Sequence, residues 1–183
     1  DMIFRYQLPP GSRVSDFSLS KTLGISRTPV RQAILILLNQ GLVISTEKGF
    51  KVPDITLESI DELYDARVCL EIAVLRFAMQ KGLGKDSLSR LRKEVELEEK
   101  CNNSGNIIDG LGHDFEFHNI LNSLCQNQRL EKALINLKLQ TRMLNVLSLA
   151  SPNMDTPRVY FSICDAIEAG NTEDACAKLT ASI

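Results

Sequence analysis

GISRTPVRQAILILLNQGLV, residues 24–43, crowds polar side chains into its first turns and is almost wholly apolar behind them. Ser26 stands where a helix needs an N-cap. Pro29 falls in the first turn, where a missing backbone N–H costs no intrahelical bond. Val30, Ala33, Ile34, Leu37 and Leu38 then recur at i, i+3, i+4, i+7 and i+8, which is one face of a helix. Arg27, Thr28 and Arg31 lie off that stripe. The apolar part seats the helix on its neighbours, and the polar turns project outward.

Upstream, Pro9-Pro10-Gly11 reads as a turn. Ser15 or Asp16 caps a short helix that runs to Leu23, and Gly24 is suited to end it. About four residues separate the two helices, the spacing of a helix-turn-helix. Downstream, GLVISTEKGFKV (residues 41–52) reads as a strand over 42–45, a turn at Glu47-Lys48-Gly49 and a return from Phe50 to Val52. That hairpin is a wing. In a winged helix-turn-helix the second helix enters the major groove, its first residues near the base edges. An arginine fork there meets two acceptors of guanine at once. Lys48, the Gly49 backbone or Lys51 reaches phosphate or the minor groove. The chain opens on apolar Met2-Ile3-Phe4, which reads as the remainder of a first helix.

The charge is split along the chain. Residues 1–53 hold seven Lys/Arg against three Asp/Glu, or +4, while residues 54–183 hold fourteen against twenty, or −6. A small basic piece joined to a larger acidic one suggests two jobs, with nucleic acid as the partner of the first. The 183 residues suffice for one ordinary domain or two small ones. No apolar run is long enough to cross a membrane. The five cysteines are odd in number, scattered and without a CxxC pair, and read as reduced thiols of a cytoplasmic protein.

After Pro53 the alternating pattern stops and helical periodicity takes over. Thr56 caps the first of six helical segments, over 57–81, 85–101, 107–126, 129–149, 157–169 and 172–183. The gaps fall at Gly82 and Gly84, Asn102–Asn106, Ser151–Pro157 and Gly170-Asn171. The expected fold is mainly α: a winged helix-turn-helix over 1–53, then an all-α antiparallel helical bundle over 54–183. Two inward stripes carry charge. One runs Ile60, Leu63, Tyr64, Arg67, Glu71, Val74, Phe77, Ala78. The other runs Ile107, Leu111, Asp114, His118, Leu121, Cys125. Either Arg67 pairs with Glu71 and Asp114 with His118 one turn away, or the bundle encloses a polar cavity.

The motifs LPPGSRV, LSKTLGISRTPVRQAI and GLV…KGFKV, spanning residues 8–52, resemble the GntR family of bacterial transcription regulators. The resemblance implies that Arg27, Thr28 and Arg31 contact operator DNA, with Ser26 beside them, Lys48 and Gly49 in the wing, and Arg13 on phosphate. Phe17 stands where some relatives carry a polar DNA-contacting residue. The later part resembles the FCD effector domain of the FadR-type subfamily, through ELYDARVCLE, Asp114-x3-His118, CQNQRLEKAL and ICDAIEAGNTEDACAKL. That resemblance implies a homodimer sensing a small carboxylate, with Arg67, Asp114, His118, Asn127, Arg142 and Tyr160 lining the effector space.

Many such domains hold a divalent metal through Asp, His and two later histidines. Here those later positions are Tyr160 and Ser182, leaving Asp114 and His118 as an incomplete set. His113 points about 100° away from Asp114 on the helix. Cys125 or Cys164 would complete the set only for a soft metal. The expected partners are double-stranded operator DNA and an effector, with no membrane and no certain cofactor. Two other functions fit parts of the sequence: a metal-dependent enzyme using Asp114 and His118, and a non-sensing interaction module. No nucleophile has a discernible activating partner, so the chain reads as no enzyme.

Overall fold

The computed structural model describes residues 2–145 and 155–183. Residues 2–6 form turns rather than the remnant of a helix, and Ile3 among them is buried. The elements then run β1 (Arg13–Val14), α1 (Asp16–Leu23), α2 (Arg27–Asn39), β2 (Ile44–Thr46), β3 (Gly49–Lys51), α3 (Leu57–Lys81), α4 (Lys85–Asn103), α5 (Ile107–Leu124), α6 (Gln128–Asn145), α7 (Thr156–Glu168) and α8 (Thr172–Ser182). The segment expected over 129–149 is helical to Asn145. Its last four residues, and Ser151 to Met154 of the gap that follows, lie outside the described residues.

Local signals place the first helices. Ser15 caps α1 by accepting from the Ser18 N–H. Gly24 ends it at φ 66°, a left-handed conformation that glycine adopts without strain. Ser26 occupies the N-cap position of α2, but its side chain makes no capping hydrogen bond. The expected cap is therefore only positional. The wing turns through Glu47-Lys48, with Ser45 opposite Phe50 and Thr46 opposite Gly49. Sequence reading missed its third strand: β1 pairs antiparallel with β3, Val14 opposite Phe50, giving the order β1-β3-β2. Two residues carry too little alternation to register as a strand.

Val14, Val30, Ile34, Leu42, Val43 and Val52 form the core of this part, joined by Met143 from α6. The bundle has its own core, in which Leu75, Leu91, Val95, Phe117, Leu121, Ile163 and Leu179 are fully buried. Each such aliphatic or aromatic side chain contributes about 1.5–3 kcal/mol of transfer free energy. Thr56 starts α3 in a capping box with Ser59. Helix α6 lies between the two cores. Its Leu139, Met143 and Leu144 pack on the winged part, and Gln140 donates to the Gln40 carbonyl at 3.0 Å. No helix among the described residues is long and apolar enough to cross a membrane.

Candidate functional site

Two groups of polar side chains stand apart from the cores. The first is at the start of α2. Ser26, Arg27, Thr28 and Arg31 are all exposed. The side chains of Arg27 and Arg31 are 61% and 64% accessible, so both project outward. They are not free of partners, however. Arg27 Nη2 lies 3.0 Å from each carboxylate oxygen of Asp16, and Arg31 Nη1 lies 3.9 Å from Asp16 Oδ2. The two guanidinium groups hold the Asp16 carboxyl below the usual range, Arg27 chiefly through its hydrogen bond. Lys48 and Gly49 are exposed on the wing, Gly49 at φ 110° with open space where a side chain would stand. Arg13 is exposed on β1, in register with Lys51.

The second group lies inside the bundle. Arg67 from α3, Asp114, Phe115 and His118 from α5, and Lys138, Thr141 and Arg142 from α6 line one cavity. Its free volume is about 10 Å³, room for about one water. Arg67 Nε donates to Glu71 Oε1 at 2.6 Å, as the one-turn spacing predicts. The companion pairing does not form. His118 turns its Nδ1 to Glu71 Oε2, at 2.5 Å, rather than to Asp114. Neither atom makes a well-aligned hydrogen bond among the described residues, so the two meet as a close buried contact. An arginine N–H can only donate, so His118 Nε2, 3.0 Å from Arg67 Nη2, accepts. The ring proton then sits on Nδ1, facing Glu71. Asp114 meets His118 only through Tyr160, whose hydroxyl donates to Asp114 Oδ1 and lies 2.9 Å from His118 Nε2. Tyr160 is held by stacking on Phe117, ring centroids 4.4 Å apart.

Electrostatics follow from this burial. Desolvation alone would raise the Glu71 carboxyl, but the close approach of His118 Nδ1 and of the Arg67 guanidinium outweighs it and holds it down at about 2. Burial pulls the Lys138 ammonium down to about 7, with Arg67 adding to that effect and Glu71 and Asp114 opposing it. Lys138 keeps one hydrogen bond, to Asn119 Oδ1 at 2.7 Å. Arg142 is half-buried, its guanidinium 5.1 Å from the Phe115 ring and 5.1 Å from the Phe4 ring. It therefore joins the cavity to the first turns of the chain.

Asn127 is not part of this group, contrary to expectation. Its side-chain oxygen accepts from the backbone N–H groups of Arg129 and Leu130 and so caps α6. It borders a separate crevice with Lys81 and Cys125. His113 also faces elsewhere, its Nδ1 2.8 Å from Glu94. Lys138 and Glu98 are functional candidates that sequence reading missed. Lys138 sits on the stripe Leu134, Lys138, Thr141, the same signal that singled out Arg67.

The residues present do not fit a metal ion. The guanidinium beside His118 Nε2 repels a second cation, and the Tyr160 hydroxyl occupies both side chains that would ligate one. Ser182 hydrogen-bonds within α8, to the Leu179 carbonyl. Cys125 and Cys164 are buried among apolar side chains, and burial pushes the Cys164 thiol up to about 12. Among the described residues no three His, Cys, Asp or Glu side chains come together to hold an ion.

Glu98 yields a pH prediction. It is buried, and its Oε2 has no partner among the described residues. Burial, with Asp114 adding to it, raises the carboxyl from 4.5 to about 8, against a hydrogen bond from Asn102. Between pH 4.5 and 8 the folded chain keeps a proton that the unfolded chain gives up. Stability contributed by Glu98 therefore falls as pH rises through that window and is flat above it. Glu98→Gln is expected to raise the unfolding free energy at pH 8 by about 2–4 kcal/mol and to flatten the pH dependence. Denaturant titrations at pH 5 and 8 check it; parallel wild-type and variant curves would refute it.

The FCD domain pattern matches residues 62–183. The chain is 30% identical over 179 residues to the Nta operon transcriptional regulator of Aminobacter aminovorans, covering 96% of this chain and 82% of that protein. It is 29% identical over 135 residues to the HTH-type transcriptional regulator YdhC of Bacillus subtilis, covering 73% of this chain and 60% of YdhC. Among solved structures, McbR/YncC of E. coli superposes over 99% of this chain and 87% of that one, with TM-score 0.87 at 20% identity. A GntR transcriptional regulator from Rhodococcus sp. RHA1 matches over the same shares, with TM-score 0.82 at 28% identity.

Proposed function

The chain belongs to the FCD family of GntR-type transcription regulators, and from that premise we propose that it couples DNA binding to a small anionic effector. In this reading residues 1–53 bind operator DNA in the bacterial cytoplasm, and residues 54–183 sense the effector and pair with a second copy. A single short recognition helix makes few base contacts, and a twofold protein matches a twofold operator.

The observation that carries the reading is the double role of α6. One side of this helix supplies Lys138, Thr141 and Arg142 to the cavity, and another supplies Leu139, Gln140 and Met143 to the winged part. Three cationic side chains, Arg67, Lys138 and Arg142, converge on a space that also holds Asp114. A carboxylate would meet an arginine fork there and offset the cost of burying Lys138. Space for one water does not admit such a molecule, so a side chain must move. Arg142 is the least buried of the three cations and leans on Phe4. Drawing it onto an anion weakens that contact and shifts α6 against the DNA-binding part. An effector that favours one arrangement this way changes DNA affinity by linkage. No step of this scheme runs through a metal.

A thermal-shift screen of small mono- and dicarboxylates tests the proposal. A compound at a hundred times its dissociation constant adds about 2.7 kcal/mol, a rise of about 5–10 °C in Tm for a chain of this size. Arg142→Gln should cut that rise and the effector's influence on DNA affinity together. A broad panel that leaves Tm unmoved would sink the sensing role.

A further inference from the structure

Asp16 is one of only three acidic residues in the basic first 53, and it stands against the arginines assigned to the DNA groove. It is the first residue of α1, where unpaired N–H groups and the helix dipole favour a carboxylate. Its side chain is only 18% accessible. It is thus a fixed acceptor. Arg27, the first residue of α2, brings a long side chain to it, and only Nη2 is engaged. The other outer nitrogen, Nη1, and the Nε edge make no described hydrogen bond and remain available to a base.

We propose that Asp16 is a positioning residue that sets sequence specificity by holding Arg27, and with it Arg31, at a fixed bearing toward the groove. The inference rests on the DNA-reading assignment above. Two effects follow, and they act in opposite directions. An anchored arginine has already lost much of the rotamer freedom that binding a base would take from it, so readout of its own site is strengthened. The same carboxylate removes positive charge from the face that meets phosphate, so sequence-independent binding is weakened. A carboxylate that merely masked the arginines would weaken both kinds of binding alike. Arg31 lies one turn from Arg27, and without Asp16 the two like charges would repel and splay.

The test begins by selecting duplexes from a random pool with the whole wild-type chain. The enriched duplex and a scrambled duplex are then titrated with wild type, Asp16→Asn, Asp16→Glu, Arg27→Ala and the Asp16→Asn/Arg27→Ala double variant, at several salt concentrations. Asp16→Asn is expected to weaken binding to the enriched duplex about tenfold while leaving or strengthening binding to the scrambled one. Asp16→Glu should restore part of the ratio. The double variant should lose less on the enriched duplex than the two single losses summed, because both changes remove the Asp16–Arg27 interaction, while any further loss beyond Arg27→Ala reports the freed Arg31. Ser15 still caps α1 in these variants, and equal Tm values verify that they fold. If Asp16→Asn strengthens binding to both duplexes equally, or leaves their ratio intact, the inference falls and the DNA-reading assignment stands. If the wild-type chain enriches no sequence, both fall.

Discussion

Glu71→Ala is expected to lower the unfolding free energy by about 3–5 kcal/mol, because it strands a buried guanidinium. Arg67 is 6% exposed and Glu71 fully buried, and the same carboxylate receives Arg67 Nε at 2.6 Å and faces His118 Nδ1 at 2.5 Å. Among the described residues no other carboxylate stands ready to replace it: Asp114 is engaged by Tyr160. In a chain of this size the loss corresponds to a fall in Tm of about 10–15 °C. Glu71→Gln keeps the shape and one acceptor and should cost less. Because the folded carboxyl is held at about 2 against 4.5 in the unfolded chain, its contribution is complete above pH 4.5 and fades as pH falls toward 2. Calorimetry at neutral and acid pH measures both effects. A loss below 1 kcal/mol at pH 7 would mean that solvent or another group compensates the Arg67 charge once Glu71 is gone.

The second large effect concerns DNA. Arg27→Ala and Arg31→Ala should each weaken binding to a selected operator by about 1–3 kcal/mol if the side chain reads a base edge. An arginine that touches only phosphate instead weakens all sequences alike and lowers the salt slope by about one. The two losses will not add, since both arginines share the Asp16 carboxylate. Fluorescence anisotropy at fixed salt, on selected and scrambled duplexes, separates these outcomes. Affinity unchanged by both substitutions would remove α2 from the DNA interface. A loss confined to the selected duplex would place these side chains on base edges.

The legibility of the chain depended on how local each signal was. Helices α1 to α8 answer to caps, glycines and a 3.6-residue apolar period, all contained within one turn or two. The boundaries at Gly24, Thr56 and Gly170 could therefore be read directly. Strand β1 could not, because its two residues become a strand only by pairing with β3 some 36 positions later, Arg13 with Lys51 and Val14 with Phe50. Asn127 was misplaced for a related reason. Its neighbourhood resembles an effector-lining segment, yet its carbonyl oxygen satisfies the free N–H groups at the start of α6. A local hydrogen bond won over a distant one.

Within the site, the inward position of Arg67, Glu71, Asp114 and His118 was written in their spacing, and so was that of Lys138, had the same rule been applied to α6. Their pairing was not. Periodicity says which face a side chain occupies but not which neighbour from another helix meets it there. His118 chose Glu71 of α3 over Asp114 of its own helix, Tyr160 of α7 bridged the gap, and Asp16 of α1 came to hold an arginine of α2. The sequence by itself determined the helices, the wing and the outward set of arginines, since propensity, capping and amphipathic period act over a few residues. Only the tertiary structure decided the partners of the buried charges and the placing of α6 between the cavity and the winged part. Those depend on the distance and direction between helices, and a buried charge takes whichever partner packing brings within hydrogen-bonding reach.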